Sequence, residues 1–146
     1  MNKEIHCEEE IMAMSAVLGA TPYYVLMNGK RRIGPKILPL DLGIECTSVY
    51  GFSNKDPYDR YCLNSDVTVT PYPLVKTYLR NQTSAPDDGL KLVVIDAAGP
   101  REPYLHAATM EAVLEAHENR MSHVTAAYRL VLNQQAEAYR VEEVSV

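Results

Sequence analysis

Tryptophan is absent and phenylalanine occurs once, so ten tyrosines carry nearly all the aromatic surface of this 146-residue chain. Each such ring brings a hydroxyl that needs a partner, which suits a half-wet setting better than a dry core. Other absences narrow the chemistry. There is no GxGxxG or GxxxxGK[ST] to cradle a phosphate, no GxSxG to present a nucleophilic serine and no CxxC to hold zinc or exchange disulfides. The three cysteines, Cys7, Cys46 and Cys62, cannot all pair within one chain and read as free thiols of a reducing cytoplasm. The acidic start MNKEIHCEEE lacks the basic and then apolar character of a secretory signal. No apolar run approaches the roughly 20 residues that cross a bilayer, so no membrane partner is expected.

What is present matches an ordinary globular protein: 47% apolar residues, 23% charged residues and a net charge of −5. That length fits one domain over residues 1–146, and no internal repeat divides it. Cys7, Ile11, Met14 and Leu18 share one stripe of an N-terminal amphipathic helix that Gly19 and Pro22 stop. Tyr23 to Met27 reads as a strand, with Asn28-Gly29 as a two-residue hairpin turn. KILPLDL, GIECTSVYGF and DVTVT are strand-like pieces, interrupted by a polar loop SNKDPYDRY. Pro39 puts the first of them at an edge or bend. Pro73 fits the first turn of a short helix, PLVKTYLRN.

LKLVVID, Leu90 to Asp96, is apolar on both alternating faces and reads as the central strand. A long helix is expected from Glu102 to Arg120, with Met110, Val113, Leu114 and Met121 inward and Glu111, Glu115 and Glu118 outward. Residues 123–134 fit helix and strand periodicity equally, and the length a continuous helix would need favours a final strand pair. The fold class is α+β: a mixed or antiparallel sheet packed against the N-terminal helix and the second long helix.

Three constellations are candidates for function. Tyr50, Tyr58, Tyr61, Tyr72 and Tyr78 lie in a stretch rich in Ser, Asn, Thr and Pro, the mixture of a recognition surface, with the competing reading that several of them edge a core short of phenylalanine. Lys30, Arg31, Arg32 and Lys36 form a basic turn suited to a small anionic ligand or to edge protection. Four of the 14 basic residues sit there, which leaves 10 against 19 acidic ones, a balance that disfavours nucleic acid. Asp96, at the end of the central strand, is the alternative catalytic residue, with Arg101 and His106 as partners acting on a phosphorylated or nucleotide substrate. A turn-bracing role for Asp96 competes with that. His106 and His117 are too far apart on a helix, roughly 16 Å, to share a metal, and no cofactor is expected.

These readings lead to a non-enzymatic, cytoplasmic binding or regulatory protein, such as an inhibitor or a ligand-sequestering protein. It would act as a homo-oligomer and recognise a protein or a small anionic ligand through its tyrosine-rich surface. A small enzyme and a structural assembly subunit are the alternatives.

Overall fold

The computed structural model describes residues 17–66, 68–87 and 89–144. Ten strands and three α-helices are found among them, in the order β1 (Val17–Ala20), β2 (Tyr24–Asn28), β3 (Arg31–Arg32), β4 (Cys46–Phe52), α1 (Lys55–Leu63), β5 (Thr70–Pro73), α2 (Lys76–Thr83), β6 (Leu90–Ile95), β7 (Tyr104–Thr109), α3 (Met110–Glu118), β8 (His123–Ala126), β9 (Tyr128–Asn133) and β10 (Ala138–Glu143). The LKLVVID segment is interior, as its apolar character requires. β6 pairs in parallel with β4 and antiparallel with β7. The main sheet runs β10-β9-β7-β6-β4-β2-β3, with β5 on β2, and is mostly antiparallel. β1 and β8 form a separate two-stranded ribbon.

Alternation along the strands divides the interior into two layers. Tyr50 and Phe52 of β4, Leu92 and Val94 of β6, Leu105 and Ala107 of β7 and Leu130 of β9 bury one face together with Tyr61 of α1. Val49, Val93 and Ala108 point the other way, to Leu79 of α2 and to Met110, Val113 and Ala116 of α3.

The segment after β3 links distant parts of the sheet. Ile33 donates its N–H to Leu26 and accepts from Tyr50, so it runs between β2 and β4. Three residues later the Tyr139 N–H donates to Lys36 and the Leu38 N–H donates to Tyr139, on β10 at the far end. Residues 33–38 thereby join both ends of the β4-β6-β7-β9-β10 run and curl it towards closure. Gly34 makes the crossing: a Cβ there would stand 2.0 Å from the Ser48 carbonyl oxygen. Only a residue without a side chain can pass so near a neighbouring backbone.

Several expectations need correction. The long helix is only nine residues, because Tyr104–Thr109 forms strand β7 and the Thr109 hydroxyl then caps α3 by accepting from the Ala112 N–H at 3.1 Å. The inward stripe survives at Met110 and Val113, and Glu111, Glu115 and Glu118 are exposed, but Met121 lies past the helix end and is also exposed. SNKDPYDRY is not a loop. It forms most of α1, whose Asn54 side chain accepts from the Asp56 N–H. The hairpin turn is Gly29-Lys30, one residue later than Asn28-Gly29, since Asn28 pairs with Arg31 and Gly29 holds the positive φ of 64°. Pro73 ends β5, and α2 starts at Lys76. In KILPLDL, Ile37 makes an isolated bridge to Tyr139 and Asp41–Gly43 is a 3-10 turn. Residues 123–134 hold two strands, as chain length favoured. Most of the N-terminal helix lies outside the described residues, and its last position, Leu18, is in β1.

Candidate ligand-binding site

The mouth of the curled sheet encloses a cavity of about 540 Å³, within the usual range for small-molecule sites. Its walls come from four places far apart in sequence. Ile33 to Lys36 form the crossing segment, Tyr50 and Tyr61 come from β4 and α1, Pro100 and Arg101 lie just before β7, and Leu132, Gln134, Glu137 and Tyr139 belong to the β9–β10 hairpin. Tyr50, Tyr61 and Tyr139 are almost fully buried, at 4%, 3% and 2% exposure. Lys36, Arg101, Gln134 and Glu137 are exposed. The result is a floor of phenols beneath a charged rim.

The floor is tightly organised. The rings of Tyr50 and Tyr61 lie 4.9 Å apart, and Phe52 meets Tyr61 edge-on at 5.7 Å. The Tyr139 hydroxyl donates to the Glu102 carbonyl at 2.6 Å. Burial raises the Tyr50 and Tyr139 phenols well above their ordinary range, Tyr139 to about 12, and each is raised further by other groups nearby. Burial likewise raises Tyr61, against a smaller lowering from the neighbouring Tyr50 hydroxyl. A phenolate in this low-dielectric setting is disfavoured, so all three stay neutral near pH 7. They can donate and accept hydrogen bonds but do not supply a base.

At the rim, the Lys36 and Arg101 side chains make no hydrogen bond or ion pair among the described residues, in contrast to Arg129, which holds Glu142 at 2.8 Å. Two cations are thus available at the mouth, against one carboxylate, Glu137.

The tyrosine-rich surface is not a single outward patch. Tyr50 and Tyr61 face inward, which corrects their placement, because the alternation of β4 and the inner side of α1 direct them into the core. Tyr58 is half-buried against Phe52 and donates to the Val69 carbonyl at 3.1 Å. Tyr78 lies beneath the Arg32 guanidinium, 3.8 Å from ring centroid to carbon, a cation-π contact. Only Tyr72, on edge strand β5, is exposed, at 49%. The basic turn divides too: Lys30 and Arg31 project into solvent at the hairpin, Arg32 packs on Tyr78, and Lys36 reaches the cavity.

The alternative catalytic set does not come together. Asp96 has a φ of 50°, and its carboxylate accepts from the Ser53 N–H and the Ser53 hydroxyl, both at 2.8 Å. Its own N–H donates to Gly51, so it ties the ends of β4 and β6 together. His106 sits opposite Arg129, on the sheet face away from Leu105 and Ala107. Partial burial and the Arg129 charge lower its pKa. Of the three, only Arg101 lines the cavity. His117 is buried, stacked 4.8 Å from the Tyr23 ring, and its Nε2–H donates to the Pro22 carbonyl at 2.7 Å. Among the described residues no cluster of His, Cys, Asp and Glu could hold a metal. Burial pushes the Cys46 thiol up to about 11, which leaves it without nucleophilic thiolate. No described helix is long and apolar enough to cross a membrane.

Sequence reasoning passed over Tyr139, Gln134 and Glu137. The alternation of Tyr139 and Val141 across from Leu132 and Leu130 was the available signal. No family model, curated protein or solved structure matches this chain. The site is therefore read from its own geometry.

Proposed function

We propose that this is a non-enzymatic binding protein that holds a small anionic ligand in the tyrosine-floored cavity. The observation that carries the reading is the pairing of two unpartnered cations, Lys36 and Arg101, with a floor of neutral hydrogen-bonding phenols. The rim supplies long-range attraction and the floor supplies orientation. The groups at the cavity floor are neutral phenols, which supply neither a base nor an activated nucleophile there. Sequestering such a ligand would be a regulatory role.

The test is thermal unfolding against a panel of small phosphates and carboxylates. A true ligand at one hundred times its Kd stabilises by about 2.7 kcal/mol. Lys36→Ala and Arg101→Ala together should weaken binding at least ten-fold while leaving the unliganded melting temperature within a degree or two. An unchanged affinity in the double variant would remove the cavity from consideration.

A protein contact is a second reading, supported by Tyr72, 49% exposed on edge strand β5, and by Tyr24, 41% exposed on the opposite face of neighbouring strand β2. Such rings are common interface anchors. A second copy of the chain is the partner we favour. Native mass measurement decides it, since a monomer at 16.3 kDa that Tyr24→Ser and Tyr72→Ser leave unchanged would end this reading.

A further inference from the structure

The hydrogen-bond arithmetic of the cavity floor limits what the ligand's inner end can be. The Tyr139 hydroxyl has given its one proton to the Glu102 carbonyl, so towards the cavity it can only accept. Tyr50 and Tyr61, packed with ring centroids 4.9 Å apart, bring two O–H protons, so at least one is left to donate even where the two hydroxyls meet. The floor therefore offers both an acceptor and a donor, and no charge. Ile33, Pro35 and Leu132 add apolar wall, and both lining cations are at the exposed rim.

We infer that the ligand is an anion carried on a hydroxylated body, a sugar phosphate or sugar acid in chemical class, with the charged group at Lys36 and Arg101 and the hydroxyls against Tyr50, Tyr61 and Tyr139. This deepens the reading above and rests on it. A hydroxyl both donates and accepts, which satisfies the two demands of the floor with one group. An alkyl body would leave the floor's remaining O–H and the Tyr139 acceptor lone pair unmet, and sites built around hydrogen bonds discriminate strongly against analogues that lack them. A second anion placed inward would find one donor and no cation, at a large desolvation cost. At about 540 Å³ the cavity accommodates a five- or six-carbon body with its anionic group.

Calorimetric titration of the full chain with ribose 5-phosphate, butyl phosphate, ribose, inorganic phosphate and gluconate separates the contributions. Ribose 5-phosphate is expected to bind at least ten-fold tighter than butyl phosphate, ribose or inorganic phosphate. Gluconate then shows whether a carboxylate serves in place of the phosphate, and binding by either hydroxylated anion supports the class. Tyr61→Phe should narrow the gap between ribose 5-phosphate and butyl phosphate, with little change for butyl phosphate itself. Equal or tighter binding of butyl phosphate overturns the hydroxyl inference and leaves the anion reading standing. Ribose binding as tightly as its phosphate overturns the anion reading, and no binding by any member overturns both.

Discussion

At the scale of single residues, Asp96 shows how a strand-end carboxylate that looks poised for chemistry can be taken up in bracing the fold, here through both the N–H and the hydroxyl of one serine. Its two oxygens accept from the N–H and hydroxyl of Ser53, and its positive φ is one that aspartate tolerates better than most side chains. Replacing it by alanine removes both bonds and places a methyl group in a left-handed conformation. Asp96→Ala should destabilise the fold by about 3 kcal/mol in urea melts. Asp96→Asn keeps an acceptor for the Ser53 N–H and an αL-tolerant side chain, and should lose only about 1 kcal/mol. A catalytic aspartate off the folding path would give the reverse signature, with neither variant altering stability. Arg32 is a similar case. Its positive charge sits in the sequence with three others, but its contact with Tyr78 places it between the hairpin and α2.

At the scale of elements, α3 is defined by its two ends more than by its periodicity. The apolar stripe that begins at Met110 continues a pattern already present in β7, so spacing alone extended the helix eight residues too far upstream. Thr109 marks the true start by capping. At the other end the Met121 N–H reaches Ala116 and the Arg120 N–H reaches His117, with Arg120 at φ 53°: a Schellman stop carrying arginine where glycine is usual. Thr109→Ala should cost about 1 kcal/mol. Arg120→Gly should gain about 1 kcal/mol by relieving the left-handed strain. Opposite signs in the two melts would support this account of the helix ends. α1 was missed for a different reason: among KDPYDRYCL only Tyr61 is buried, so the helix shows almost no apolar stripe and depends on tertiary contact.

At the scale of the whole molecule, the buried phenols couple stability to alkaline pH. Burial raises Tyr50, Tyr61 and Tyr139 in the folded state, and Tyr58 is raised to about 12, chiefly by burial. Their contribution is complete below the ordinary phenol pKa of about 10 and is lost as pH rises through the folded values, because the unfolded chain ionises first. Denaturation midpoints should therefore hold from pH 7 to 9 and fall steeply between about pH 10 and 12. Tyr50→Phe should flatten that fall even if it lowers the midpoint at neutral pH. A midpoint independent of pH across that window would mean the rings are not buried as described.

The sequence by itself determined the elements whose signal is local. LKLVVID was legible as a buried strand because both its faces are apolar, and it is flanked by β4 and β7. The Tyr23 to Met27 strand and its hairpin were legible to within one residue because glycine supplies the positive φ the turn needs. The α+β class followed from the two periods present together. Only the tertiary structure decided where the tyrosines and the cations met. Lys36 and Tyr139 are 103 positions apart and are joined by a backbone hydrogen bond that no local pattern encodes. The cavity exists because residues 33–38 cross from β4 to β10, and that crossing depends on Gly34 passing against Ser48, a contact between segments whose own preferences do not require it.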